Sequence, residues 1–356
     1  MKKRWGVITV AVLFLSVSCG VNYPHASTTV QAGQFALGMH FHRVFNGLGS
    51  PLPTFRYSVV RDWDIQLIRI WEIWKDNGTI TGALDFTLID QVYSSHAQHG
   101  AKMIKVFSGV PTWAAKRPTE ADPHPFPGIP GRRSGPASLE AYELMVYNFV
   151  SHTKQYLWAV EGENEPYACT TDYKFFFSGS ATELADIQKR LYRATKRVDP
   201  KILVFSPAQY LICGIESFLQ AKTSEGEPIS LFFDVLAFHL YETSADSMGP
   251  IGGSYESSIA QIKQIAAAAG IPEKMLADTE HGWGTTGAGA PFHGLTDGQK
   301  SVVIYETTKV ARENGLVFLG WYSYESDLVG TPMNNPTLSQ GLDMAFSDFA
   351  TLGPGK

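Results

Sequence analysis

The amino-acid sequence predicts an α/β protein that folds as a single (β/α)8 TIM barrel. Eight short apolar runs alternate with longer segments of helical periodicity, which favours a parallel barrel over an open sheet. No low-complexity segment, repeat or linker divides residues 30–350. The chain has 356 residues, of which 44% are hydrophobic, so it can bury the core of one such barrel.

Each predicted strand is a short apolar run bounded by polar, glycine or proline residues. In chain order they are Phe35–Met39, Ile65–Ile70, Lys102–Phe107, Tyr156–Val160, Ile202–Phe205, Phe233–Phe238, Lys274–Ala277 and Val317–Tyr322. The predicted helices between them are Leu84–Gln98, Leu139–Thr153, Thr182–Arg197, Tyr255–Ala269 and Gly298–Glu313. Three of these helices run into a glycine, the expected C-terminal stop. Residues 118–136 are rich in proline and glycine, which predicts a long surface loop after the third strand.

The first nineteen residues predict an export signal. A basic start at residues 2–4 precedes an apolar stretch at residues 7–17, which is too short to span a bilayer as a mature helix. The sequence around Cys19 resembles a bacterial lipoprotein cleavage box, which predicts lipidation of Cys19, and plain cleavage nearer Ala26 is the alternative. We expect residues 20–33 to form a linker and residues 34–350 to form the barrel. The expected location is the periplasm, a membrane through a lipid anchor, or the exterior.

Two cysteines remain after the export signal, Cys169 and Cys213. Both follow predicted strands, in loops expected on the same face of the barrel. In an exported protein such a pair favours a disulfide, and two separate buried thiols are the alternative.

The net charge argues against a nucleic-acid partner, and the aromatic content is compatible with a sugar ligand. The formal net charge is −5, and no stripe of Lys or Arg follows the export signal, so no nucleic-acid partner is expected. Aromatic residues make up 12% of the chain, including eight Trp. Most belong to the core, but sugar sites also use aromatic faces on which pyranose rings lie.

Two glutamates lie at the ends of predicted strands. Asn164-Glu165-Pro166 follows the fourth strand, and Glu280 follows the seventh. Because a barrel of parallel strands brings these ends to one mouth, the two carboxyl groups are expected to meet there. Two carboxylates in one cleft are the minimum equipment for hydrolysing a glycosidic bond.

The fourth strand offers more than one candidate acid. Glu161, Glu163 and Glu165 are spaced by two, so a regular strand would direct all three side chains to one face. Spacing alone does not choose among them. Only the Asn-Glu-Pro tripeptide singles out Glu165, which leaves Glu161 and Glu163 as structural partners.

The pattern of strand ends resembles the clan A retaining glycoside hydrolases, and glycoside hydrolase family 39 in particular. The matching residues are Arg69, Asn164-Glu165-Pro166, His239, Tyr241, Glu280 and Trp321. The family likeness is carried by Leu67–Trp71, Gly109–Ala114, Val198–Pro200 with Ser206-Pro207, and Asp278–Trp283. The resemblance covers residues 34–325, and the chain departs from the family at Gly162-Glu163 and at His281.

The resemblance implies double displacement, with Glu280 as nucleophile and Glu165 as acid/base. It implies a carboxyl separation of about 5–5.5 Å and retention of anomeric configuration. Arg69 is expected to lower the Glu280 pKa, and Glu280 to raise the Glu165 pKa. Asn164 is expected to bond the sugar 2-hydroxyl. The expected substrate-binding residues are Asn164, Arg69, His239, Tyr241, Trp321, Trp113, Trp283 and His40.

We therefore expect an exported glycosidase that acts as a monomer on a polysaccharide or oligosaccharide, without cofactor or metal. Aromatic residues at several strand ends favour endo action. One alternative is a carbohydrate-binding lipoprotein on an inactive barrel. Another is a metal-dependent amidohydrolase barrel that uses His40 and His42, although no histidine follows the fifth predicted strand.

Overall fold

A computed structural model describes most of the predicted barrel. The described residues are 35–41, 67–71, 84–98, 100–122, 129–168, 175–210, 212–241, 253–282 and 296–322, with residues 340 and 344. The predicted export signal, linker, Cys19, His42, Cys169 and Trp283 lie outside them. No helix in the described ranges is long and apolar enough to cross a membrane.

Eight parallel strands close into the predicted barrel. The strands of the described chain are β1 (Ala36–Phe41), β2 (Leu67–Trp71), β3 (Lys102–Val106), β4 (Leu157–Glu161), β5 (Asn164–Ala168), β6 (Leu203–Phe205), β7 (Ala208–Tyr210), β8 (Val235–Tyr241), β9 (Met275–Gly282) and β10 (Phe318–Trp321). The ring runs β1-β2-β3-β4-β6-β8-β9-β10 and closes through the β10–β1 and β8–β9 pairings. This arrangement confirms the predicted fold.

The two remaining strands, β5 and β7, form an upper tier on the barrel. Each continues a barrel strand after a two-residue break, at Gly162-Glu163 and at Ser206-Pro207. They pair with each other, and β7 also pairs with the C-terminal half of β8. A Cβ at Gly162 would lie 2.3 Å from Oε1 of Gln188, so a larger residue at this break would have to displace Gln188. The predicted fourth and fifth strands correspond to β4 and β6, and the sequence did not predict β5 and β7.

Six helices are described outside the barrel: α1 (Thr87–Gln98), α2 (Leu139–Thr153), α3 (Ala181–Val198), α4 (Ile212–Leu219), α5 (Gly253–Ala268) and α6 (Asp297–Glu313). Capping boxes begin α3 and α6, where Ser180 pairs with Glu183 and Thr296 with Gln299. Periodicity in the sequence predicts five of these helices but not α4. Cys213 in α4 is disulfide-bonded; because Cys169 lies outside the described residues, their pairing stays a prediction.

Buried apolar side chains fill both faces of the barrel wall. Inside, Trp158 of β4 packs edge-on against Phe205 of β6 and also contacts Phe318 of β10, with ring centroids 5.6 and 6.2 Å apart. A larger cluster fills the space between strands and helices. The interior is therefore a packed core at its lower end, which leaves chemistry to the upper mouth.

Candidate active site

A β-bulge in β9 brings two neighbouring side chains to the barrel mouth. Asp278 pairs with Phe238 of β8, but the next pair joins Glu280 to His239, so Thr279 is the extra residue. Neighbouring residues of a regular strand face opposite ways, and a bulge suspends that alternation. Thr279 and Glu280 consequently both bond side chains of the mouth, on Glu161, His239 and Tyr241.

Glu165 and His239 form a buried hydrogen-bonded pair. Nδ1 of His239 lies 2.7 Å from Oε1 of Glu165, with the two residues 0% and 7% exposed. Glu165 has a φ of 38°, and it is the one non-glycine residue of the described ranges with positive φ. This left-handed conformation is unfavourable for a residue with a Cβ. Residues held in such strained conformations cluster at active sites.

Glu280 is held by Tyr241. The phenol of Tyr241 donates a hydrogen bond of 2.8 Å to Oε2 of Glu280. Burial first, and then the nearby Glu280 and Glu165 carboxyl groups, raise the pKa of Tyr241 well above its usual value. The phenol therefore stays protonated at neutral pH. It is a permanent donor to the carboxylate, and it orients that carboxylate toward the mouth.

The carboxyl groups of Glu165 and Glu280 lie close together, as their positions at the ends of parallel strands predict. One oxygen of Glu165, one of Glu280 and a ring nitrogen of His239 all lie within 4.8 Å of one another. Nδ1 of His239 is 3.7 Å from Oε2 of Glu280. A hydrogen bond joins two members of this cluster, Glu165 and His239, and Tyr241 holds the third, Glu280. Retaining glycosidases hold their carboxyl groups about 5–5.5 Å apart, whereas inverting enzymes leave about 6.5–9.5 Å for a water.

A second layer of polar groups lies beneath the pair. The hydroxyl of Thr279 is 3.1 Å from Nε2 of His239 and donates to Oε1 of Glu161 over 3.2 Å. Glu161, Thr279 and His239 are all 0% exposed. Strand spacing leaves Glu161 as a structural partner and does not single out Thr279, because a bulge leaves no periodic signal in the sequence.

Glu163 fastens the loop after β3 to the segment that carries Glu165. Its carboxyl group accepts hydrogen bonds from the hydroxyl of Ser108 and, over 3.2 Å, from the amide of Gly109. Burial is the largest influence on the Glu163 carboxyl and raises its pKa from 4.5 to about 7, while the Arg132 charge works in the opposite direction. Glu163 thus supports the cleft wall through the loop after β3.

Glu163→Gln should flatten the pH dependence of stability. An acid whose pKa is raised by folding stabilises the protein fully below the unfolded value of about 4.5, and this contribution is lost as pH rises to about 7. The loss is about 3 kcal/mol in the free energy of unfolding. Urea unfolding of both proteins across this pH window measures it. Parallel curves for wild type and variant would contradict the raised pKa.

Tyr241→Phe should lower kcat against any substrate that the site cleaves. The substitution removes a hydrogen bond to a carboxylate, worth about 1.5–3 kcal/mol, so we expect a loss of about 10- to 100-fold. Tyr192→Phe in α3 is the matched control, because its ring packs against Phe232 on the outside of the barrel. Equal activity of both variants would show that Tyr241 does not orient Glu280.

His281, where the chain departs from the family pattern, faces away from the mouth. Its Nδ1 is 3.0 Å from Asp278, which also accepts a 2.9 Å hydrogen bond from Tyr255 of α5. Burial is the main cause of a raised Asp278 pKa. Trp321 packs edge-on against His281 at 5.2 Å and is 0% exposed. In this structure Trp321 therefore supports β9 from behind and presents no open face.

For the other predicted site residues, the structure gives only their burial or the pairing of their backbones. Asn164 is buried at 2% exposed beside Glu165. Trp113, in a turn after β3, is 41% exposed. The backbones of His40 and Arg69 pair across β1 and β2, and their side chains are not among the parts that the structure describes. Sugar-binding roles for these residues stay predictions.

Solved structures that resemble this chain include glycoside hydrolases. A family 39 glycoside hydrolase from Bacteroides cellulosilyticus WH2 is 18% identical (TM-score 0.58), covering 88% of this chain and 64% of its own. A GH39 β-xylosidase from Caulobacter crescentus is 17% identical (TM-score 0.58), covering 84% and 63%. Endo-glycoceramidase II from Rhodococcus sp. is 17% identical (TM-score 0.60), covering 86% and 80%.

This chain therefore spans less than two thirds of the length of both family 39 proteins. No protein-family model matches the sequence, and no curated protein does. At these identities the likeness establishes the barrel fold, which it shares with known glycoside hydrolases.

Proposed function

We propose that this protein is an exported retaining glycoside hydrolase that cleaves a polysaccharide internally. The observation that carries the proposal is the buried trio of Glu165, His239 and Glu280 at the barrel mouth. One carboxylate oxygen of each glutamate and one ring nitrogen of the histidine lie within 4.8 Å of one another. That closeness supports a retaining mechanism, because inverting enzymes hold their carboxyl groups about 6.5–9.5 Å apart to seat a water between them.

In the proposed mechanism, the Glu280 carboxylate attacks the anomeric carbon while Glu165 passes its proton to the departing glycosidic oxygen. A covalent glycosyl-Glu280 ester forms as the glycosidic bond breaks. Water then attacks the same carbon, gives a proton to the Glu165 carboxylate, and releases Glu280. The Tyr241 hydrogen bond orients Glu280 for attack, and in this proposal Asn164, the chain neighbour of Glu165, bonds the sugar 2-hydroxyl.

Endo action is supported by the exposed indole of Trp113 on the loop that Glu163 fastens next to the site. An exposed aromatic face near a cleft suits a sugar ring beyond the cleavage point. Among the structural neighbours, the Rhodococcus protein is named an endo-glycoceramidase, and two others are named endoglucanases. The proposed substrate is therefore a chain of several sugars, bound by a monomer without a cofactor.

A panel of polysaccharides scored for new reducing ends tests the activity. We expect one polymer to yield oligosaccharides of mixed length, with an anomeric product that keeps the configuration of the cleaved bond. Release of monosaccharide only would overturn endo action, and an inverted product would overturn the retaining mechanism. Binding to a polymer without cleavage would instead favour the inactive-barrel alternative.

Cell fractionation tests the proposed lipid anchor at Cys19. The wild type should be found with the membranes, and Cys19→Ala should not. The same distribution for both proteins would rule out the lipid anchor.

A further inference from the structure

Four buried groups form one hydrogen-bonded chain that ends on the proposed acid/base. In order they are Glu161, Thr279, His239 and Glu165, joined by contacts of 3.2, 3.1 and 2.7 Å. The first three residues are 0% exposed. The inference below rests on the proposed function of Glu165.

The direction of the hydrogen bonds along this chain is fixed at one end. A carboxylate only accepts, and a threonine hydroxyl has a single hydrogen to donate. Since Thr279 donates to Oε1 of Glu161, its oxygen is left to accept from Nε2 of His239. The hydrogen of a neutral imidazole then lies on Nε2, and Nδ1 has a free lone pair directed at Glu165.

We propose that Glu161 and Thr279 fix the tautomer of His239, so that Nδ1 and Glu165 share the one proton that the acid/base residue transfers. Glu161 and Thr279 are positioning residues, because they act through His239 and do not reach the substrate.

This arrangement fits both halves of the reaction. Before cleavage the shared proton lies between Glu165 and Nδ1, and it leaves to the glycosidic oxygen as the glycosidic bond breaks. The Glu165 carboxylate then faces a bare nitrogen lone pair, which is unfavourable at 2.7 Å. Uptake of a proton from the attacking water relieves that repulsion, so the same contact makes Glu165 a better base in the second step.

Nitrogen NMR of the ¹⁵N-labelled protein, without substrate, reads the tautomer directly. The His239 signals are assigned by their loss in His239→Gln. We expect a hydrogen on Nε2 in the wild type and in Glu161→Gln, whose amide oxygen still accepts from Thr279. In Glu161→Met the threonine hydroxyl can turn to donate to Nε2, and the hydrogen should move to Nδ1. The proposal would be overturned if Nε2 of His239 carried no hydrogen in the wild type. It would also be overturned if the hydrogen stayed on Nε2 in Glu161→Met.

Kinetics with two classes of substrate give a second readout. Thr279→Val should lower kcat about 10- to 100-fold for glycosides with poor leaving groups, which depend on acid catalysis, and much less for activated aryl glycosides. Thr279→Ser keeps the hydroxyl and should stay near wild type. An equal loss for both substrate classes would mean that Thr279 only supports the fold. If the wild type cleaves no glycoside, the proposed function fails, while the NMR result still decides the tautomer.

Discussion

Glu280→Ala should abolish turnover, with a loss on the order of 10⁵-fold, the scale seen when a covalent catalyst is removed. The alanine leaves a space on the face of the sugar that Glu280 occupied, while Glu165 remains to protonate the leaving group. Azide added with an activated substrate should enter that space and restore turnover. Its product should be a glycosyl azide of inverted configuration, which proton NMR identifies.

Glu256→Ala is a suitable control, because Glu256 is an exposed acid in the first turn of α5. It should keep wild-type activity and show no response to azide. An unchanged rate for Glu280→Ala would remove Glu280 from the mechanism. A glycosyl azide of retained configuration would assign the nucleophile to another residue.

Glu165→Ala should separate the two steps of the reaction. For glycosides with poor leaving groups we expect kcat to fall by about 10²- to 10⁴-fold, the usual contribution of a positioned acid or base. Activated aryl glycosides need no protonation, so they should still form the glycosyl-enzyme and show a burst of released phenol. Azide should then speed its breakdown and give a glycosyl azide of retained configuration.

The matched comparison is Glu163→Ala, because Glu163 has the same strand spacing but bonds Ser108 and Gly109 instead of His239. It should weaken the fold without an azide response. A retained glycosyl azide from Glu163→Ala, and none from Glu165→Ala, would exchange their assigned roles.

The barrel could be predicted from the sequence because its strands are apolar runs separated by periodic helices. The residues at which the strands end could not be predicted in this way. β9 continues to Gly282 although the predicted strand stops at Ala277, because Asp278, Thr279 and His281 are polar. They are nevertheless buried, and partners distant in sequence, such as Glu161 and Tyr255, satisfy them. No local pattern announces such partners.

The same limit applies within the candidate site. Strand spacing could not distinguish Glu161, Glu163 and Glu165, since it assumes an unbroken strand. The break after β4 gives them separate partners: Thr279 for Glu161, the β3 loop for Glu163, and His239 for Glu165. Tripeptide resemblance singled out Glu165, but no sequence pattern showed that Gln188 of α3 packs against Gly162 at this break.

The positive φ of Glu165 sets stability against activity at a single position. Glycine adopts a φ of 38° without the penalty of about 1–2 kcal/mol that a side chain incurs there. Glu165→Gly should consequently melt at a higher temperature than Glu165→Ala, although neither can transfer a proton. Selection for a robust fold alone would place glycine at 165. The glutamate persists at an energetic disadvantage, and that trade-off is the kind expected at a residue kept for its chemistry.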